Sequence, residues 1–379
     1  MTFQLPDPLT VAQQEVEKIK ADPELALNVP MNRALRDCPM VDRESALISL
    51  EQFHQERMQR MPSAAKFPEA QTWAQHAVAV DKHVQELANL TDLQMAALRS
   101  LHEYLQWRGI PNATAVSSEK CRVAYVPETD RGQLHIKNVD DPITHWKRIT
   151  EPVTAMQHAD ELVWDGTGSG LHIDDEPEEI FPLPIPAMCK VYCNDVPSAV
   201  EFLRRYTSFW GRQNVVLHDR QKRSVAIEKC SFNHMEVFEP GPNGESHISG
   251  MVCRDPDSPQ GRHQQEKRMQ YVRQFGLPED GSDMVFWARC FDAEVKLADA
   301  LNKPGPLKSA ELIELFTTPY SQGGLNKDGV KTHPDQPVAE YTHVTRIAFI
   351  DERLFLRYQR NDDGSVYDAE PERYDFSNN

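Results

Sequence analysis

The sequence has no run approaching the roughly 20 apolar residues that a membrane-crossing helix requires. Its first residues lack the basic-then-apolar order of a secretory signal, so a cytoplasmic chain without membrane insertion is expected. It also lacks a Cys-x-x-Cys pair. Seven cysteines stand at 38, 121, 189, 193, 230, 253 and 290, an odd number without the spacing of a zinc site or a redox couple, which fits reduced thiols in a reducing compartment. Positive charge is short as well: 41 Lys and Arg against 58 Asp and Glu leave a net charge of −17. Such a balance excludes nucleic acid and anionic membrane surfaces as partners and leaves small molecules, neutral or cationic. The glycine-rich run at 166–170 lacks the Lys-Ser/Thr ending of a phosphate-binding loop, so it reads as a turn and no cofactor is assigned.

What is present begins with helices. Residues 11–20, 44–61 and 71–108 carry apolar side chains at three-and-four spacing, with prolines at 6, 30, 39, 62 and 68 between them. The longest of these runs is expected to break near Asn89, with Thr91 or Asp92 capping a new helix. His54, His76, His83 and His102 lie here without metal-type spacing and read as surface or satisfied core histidines. Residues 1–118 are therefore expected to form a helical segment, propeptide-like in position, ahead of a mixed domain at 119–379.

The chemistry-bearing stretch is 121–140. Val123, Tyr125, Leu134 and Ile136 alternate with polar positions around turn residues 127–132, which predicts a β-hairpin. In an antiparallel pair the start of one strand lies beside the end of the next, so Cys121 is expected close to Asn138 and Asp140. Further on, residues 160–185 are rich in glycine, proline and acid and read as a loop. His172, Asp174 and Asp175 in it are candidates for contacting a cationic substrate. The acidic spacing matches no defined calcium or zinc loop, and no metal is assigned. A helix from 195, strands at 214–219 and 224–228, and an Asn233-His234 pair follow. Cys189 and Cys193 read as structural.

In that order these segments resemble the cysteine N-terminal-nucleophile hydrolases of the acyl-CoA:isopenicillin N acyltransferase family, related to choloylglycine hydrolases and acid ceramidase. The resemblance rests on Cys121 opening a strand, Asn138-Val-Asp140 closing the hairpin, the Val196-to-Arg205 helix, the paired strands, Asn233-His234, the Asp257 to Arg268 stretch and a closing hairpin at 342–358. It implies an α+β fold, a four-layer αββα sandwich. It also implies cleavage of the Lys120–Cys121 bond, and a cysteine-dependent amide hydrolase or acyltransferase working through an acyl-enzyme on Cys121. Asn233 would donate to the oxyanion. Asp140 would accept from the α-ammonium or hold Arg262, with Arg268 the rival arginine. Asn138 would brace the strand end and His234 would support the site.

The chain departs from that pattern in placing Lys120 before the cysteine and Arg122 after it, where small residues are usual. If the bond stays intact, His135 or His234 is the base to consider. A catalytically silent binding protein on the same fold, capturing a cationic ligand near Asp174, is the alternative reading. The acyl group, the acceptor, hydrolysis against transfer, and whether the chain forms a homo-oligomer are left open.

Overall fold

The structure, a computed structural model, describes residues 5–37, 42–64, 68–101, 104, 121–142, 162–166, 189, 192–205, 214–228, 235–249, 285–303, 306–330, 340–359 and 370–375. Single positions at 254, 255, 257, 258, 261, 262, 266 and 269 are also described. Chain contacts divide the molecule into two units, Met1–Ala113 with Asp175–Ala187 and Ser208–Gly211, and the remainder. Among the described residues no helix is long and apolar enough to cross a membrane.

The first unit is helical: α1 (Pro8–Ala21), α2 (Val29–Asp37), α3 (Arg43–Ala64), α4 (Pro68–Ala88) and α5 (Asp92–Arg99). The break near Asn89 falls where expected, and Thr91 closes a reciprocal capping box with Gln94. Ala12, Val16 and Ile19 of α1 meet Val80 and Val84 of α4 and Met95 of α5 in one cluster. A second cluster joins Ala34, Ala46 and Leu50 to Ala96 and Ala97, so α5 serves both. Arg99 ties the same helices together through Asp81 at 2.8 Å and Glu15 at 2.5 Å. His54 bonds Ser100 at 2.8 Å, and burial, reinforced by Arg57 and Arg99, lowers its pKa to about 4. It is a neutral core histidine.

In the second unit the 121–140 hairpin is at the centre of an antiparallel sheet. Its strands are β1 (Arg122–Thr129) and β2 (Gly132–Pro142). The other described strands are β3 (Val163–Gly166), β4 (Val215–His218), β5 (Ser224–Glu228), β6 (Glu236–Phe238), β7 (Ser246–Ser249), β8 (Asp328–Val330), β9 (Glu340–Phe349), β10 (Leu354–Gln359) and β11 (Glu372–Asp375). The larger sheet runs β11-β10-β9-β2-β1-β7, with β8 on β9, and the smaller runs β3-β4-β5-β6. β1 extends further than its sequence suggests. Pro127 lies inside it, at a register shift between Val126 and Thr129 where the ladder to β2 is interrupted. The missing N–H therefore costs no ladder bond.

Both faces of β1 are covered. Ala124 and Val126, with Leu134 and Ile136, pack on Ala293, Leu297 and Leu301 of α7 (Val285–Leu301) and on Leu312 and Phe316 of α8 (Ser309–Thr317). Val123 and Tyr125 face the smaller sheet through Val216 and Ala226, beside Ile248, Ala348 and Phe355. The described part of this unit is thus a helical layer on two stacked antiparallel sheets. α6 (Val196–Arg205) is tied to the end of β4 by the Val196 amide, which donates to Asp219 Oδ2 at 2.9 Å.

Asn138 pins β2 to the helical layer. Its Nδ2 donates to the carbonyls of Phe316 and Leu325, both at 3.1 Å, and its Oδ1 accepts from Thr345 Oγ1 at 2.7 Å. The residue is wholly buried, so water cannot replace these partners. Asn138→Ala is expected to destabilise the protein by about 3 kcal/mol, since it strands buried acceptors. A shift below about 1 kcal/mol in urea unfolding would mean that the freed groups find other partners.

Candidate active site

Cys121 enters β1 with a φ of +30°, a region that costs a residue bearing a Cβ conformational energy. It is buried. Alternation along β1 places its side chain with Val123 and Tyr125, towards the smaller sheet. Val123 pairs with Lys137 and Tyr125 with His135 across β2, so both polar residues share that face. Burial raises the Cys121 thiol pKa above its ordinary value; Lys137 opposes this, the carboxylates of Asp140 and Asp165 add to it, and the Asp140 main-chain amide favours the thiolate.

The opposite face at the same end of the hairpin holds a buried ion pair. Arg122 Nη1 meets Asp140 Oδ2 at 2.7 Å, and Lys327 Nζ lies 3.7 Å from the same oxygen. Asp140 Oδ1 accepts from Thr342 Oγ1 at 2.7 Å. A bulge in β9 makes this arrangement possible. β2 residues Asn138 and Asp140 lie two apart, yet their partners Thr345 and Thr342 lie three apart, because the register shifts between Val139 and Asp140. Without the extra residue Thr342 and Thr345 would point to opposite faces.

This corrects the expected role of Arg262. The guanidinium on Asp140 is that of Arg122, which pairs with Asn138 on the adjacent strand and so faces the same side. Arg262 is exposed, and its Nη1 donates to the Asp257 carbonyl. The role of His135 as a direct base is also revised. It sits at the level of Tyr125, about 14 Å along the strand from Cys121 at ~3.4 Å per residue, whereas Lys137 is half as far. His135 bonds Asp165 Oδ2 through Nε2 at 3.0 Å and His218 through Nδ1 at 3.2 Å. Asn233, His234, Arg268, His172, Asp174 and Asp175 lie outside the described residues. Among the described residues no group of three metal-ligating side chains gathers.

Three groups not singled out in the sequence belong to this region, Lys137, Asp165 and Glu228, and Arg122, noted there only as a departure from the family pattern, belongs to it as well. Glu228 lies on the inner face of the smaller sheet with Ser224 and Ala226. Ser224 meets Ser246 at 2.7 Å, level with Tyr125, and Ala226 lies level with Asp165 through Val216. β5 therefore runs towards the Cys121 end, and Glu228 is at that end. Its carboxylate accepts from the Arg254 amide at 2.8 and 3.0 Å. Burial nevertheless raises its pKa to about 8, against the opposing pull of Arg254, so it is a carboxylic acid at neutral pH.

Comparison with known proteins adds little to these contacts. No family model matches the chain, and no curated protein matches it. Among solved structures it is similar to a mutant of the conjugated bile acid hydrolase from Clostridium perfringens, at 10% identity and a TM-score of 0.32, over 69% of this chain and 91% of that one. At that score and identity the likeness assigns neither a fold family nor an activity.

Glu228 makes stability depend on pH with a defined sign. Between the ordinary carboxyl value of 4.5 and about 8, the folded state binds one proton more than the unfolded state, so its contribution is present at low pH and lost as pH rises through about 8. Glu228→Gln keeps an acceptor for Arg254 and removes the titration. The variant is expected to melt with wild type at pH 5 and above it at pH 8.5. A difference that does not change with pH would mean that Glu228 is already ionised in the folded protein.

Proposed function

We propose that this protein is a cysteine-dependent amide hydrolase or acyltransferase that works through an acyl-enzyme on Cys121, made competent by cleavage of its own Lys120–Cys121 bond. The observation that carries this reading is the placement of Cys121. It stands immediately before a central strand in a strained conformation, and Lys137 and the Asp140 amide partly offset the rise that burial imposes on its thiol pKa. The sandwich would be completed as αββα by a helical layer on the outer face of the smaller sheet.

Self-cleavage begins with Sγ attacking the carbonyl carbon of residue 120. The C–N bond to Cys121 breaks, a thioester forms, and the nitrogen takes the proton to become the free α-amine. Water then hydrolyses the thioester. A positive φ at a residue with a Cβ stores about 1–3 kcal/mol that this rearrangement releases. The released amine, with a reference pKa of about 7.7–8.0, takes the thiol proton.

The thiolate attacks an amide carbonyl, and the tetrahedral oxyanion would be held by the Asn233 side-chain amide, as the family resemblance implies. The α-ammonium returns its proton to the departing amine. Water hydrolyses the acyl-enzyme, or a second amine accepts the acyl group. Asp140 acts through Arg122 and its own amide, fixing the hairpin end on which Cys121 sits. The substrate is a small-molecule amide or acyl compound, and the compartment is the cytoplasm, where Cys121, Cys189 and Cys193, none of them in a disulfide, stay reduced.

Intact mass under denaturing conditions tests the reading. Wild type is expected as two fragments meeting at the Lys120–Cys121 bond, and Cys121→Ala as one uncut chain. A single full-length chain in both removes the α-amine from the mechanism and favours a silent binding protein on this fold.

A further inference from the structure

The space between the two sheets is lined by Val123, Val216, Ala226, Ile248, Ala348 and Phe355, yet a line of polar side chains crosses it. Lys137 Nζ donates to Asp165 Oδ1, and Asp165 Oδ2 accepts from His135 Nε2 at 3.0 Å. In the tautomer that carries its proton on that nitrogen, His135 accepts at Nδ1 from His218 Nε2–H at 3.2 Å. The His218 ring is stacked on Tyr125, 4.0 Å between centroids and 7° from parallel. Tyr125 in turn donates to Gln133 Oε1 at 2.8 Å, and Gln133 Nε2 donates to Asp351 Oδ1 at 2.6 Å. Each donor in this line has a named acceptor.

We propose that Asp165 is the positioning residue of the Cys121 site, holding the Lys137 ammonium beneath the thiol while His135, backed by His218 on the Tyr125 ring, fixes the carboxylate in place. This rests on the reading of Cys121 as nucleophile. Lysine carries its charge on a flexible four-carbon stem, and β2 fixes only the base of that stem. Asp165 comes from β3 of the other sheet, so the ammonium is gripped from across the gap. An ammonium without a carboxylate partner would be disfavoured among apolar side chains and would turn outwards or lose its proton. The other charged groups near the line are Glu228, inward from β5 at the Cys121 end, and Asp219 and Asp351 beside Tyr125; Asp140 acts on Cys121 by charge from the opposite face of the hairpin.

The contrary expectation is explicit. If Asp165 acted only as an anion near the thiol, its removal would make Cys121 more reactive, because its charge opposes the thiolate.

The test is the rate of Cys121 alkylation by iodoacetamide from pH 6 to 10. It is read by mass spectrometry separately in cleaved and uncleaved chains, with Cys193 as the internal reference. Asp165→Asn and Lys137→Met are each expected to slow alkylation at pH 7 about tenfold and to move its pH midpoint upward. The double variant is expected to be no slower than either single one, because the two residues act as one unit. Faster alkylation in Asp165→Asn, or losses that multiply in the double variant, would overturn the proposal. Wild-type Cys121 reacting no faster than Cys193 would instead overturn the nucleophile reading on which it rests. Should Asp165→Asn fail to fold, His135→Leu and His135→Gln test the same line one link back. Leu is expected to slow alkylation and Gln, whose amide still donates to Asp165, to restore it; equal rates in the two overturn the proposal.

Discussion

The Arg122–Asp140 pair at the head of the central hairpin sets the terms for the rest of the second unit. Both side chains are almost wholly out of water, and taking two charges from water costs several kcal/mol each, which their attraction repays only with good geometry and further hydrogen bonds. Those bonds come from Thr342, brought to the right face by the bulge in β9, while Lys327 places a second cation near the same carboxylate oxygen. Such a pair is weak as a source of net stability and strong as a source of register. A slip of one residue in β1 or β9 would bury an uncompensated charge, at a cost of about 3–5 kcal/mol. The position of Cys121, one residue before Arg122, is therefore fixed by an ion pair on the face of the hairpin opposite Val123 and Tyr125.

That separation follows from the two-residue period of a strand. Arg122, Asn138 and Asp140 face the helical layer, where they bond the end of α8 and β9. Cys121, Lys137 and His135 face the smaller sheet. One surface of the hairpin carries the polar contacts that hold its register, and the other carries groups able to do chemistry. Arg122 after the cysteine, unexpected where a small residue is usual, consequently does not crowd the thiol: it lies on the other face and takes the carboxylate that Arg262 was expected to hold.

α1, α3, α4, α5, α6 and the two main hairpins were legible because their periodicity and turn residues agree with the fold; α2, α7 and α8 were not. Thr91 marks a helix start, and residues 342–358 alternate through β9 and β10. β7 and β11 were not. Ser246–Ser249 and Glu372–Asp375 are polar, and their strand state comes from the edges they pair with, β1 and β10, rather than from propensity. β3 was hidden inside an acid- and glycine-rich stretch read as a loop, and Asp165 with it. The site was half legible for a related reason. Alternation around Leu134 and Ile136 distinguishes the two faces of β2 but does not say that the polar face is also covered. His135 reads as a candidate base and Lys137 is not marked at all; only the second sheet lying over them shows both to be covered.

Burial of that second face has a chemical consequence for the proposed mechanism. Removing Cys121 from water raises its thiol pKa, and Lys137 with the Asp140 amide offsets this only in part, since the net direction remains upward. Glu228, at the same end of the stack, is likewise held neutral by burial. A thiol in this environment is a poor nucleophile at neutral pH without a base beside it. His135 is too far along the strand to serve, and among the described residues Lys137 is committed to Asp165. The α-amine of Cys121 itself meets the requirement by position alone, being attached to the same Cα as the thiol. The uncut chain would then be inert by construction, and cleavage at Cys121 would supply the base that the surrounding sheets do not.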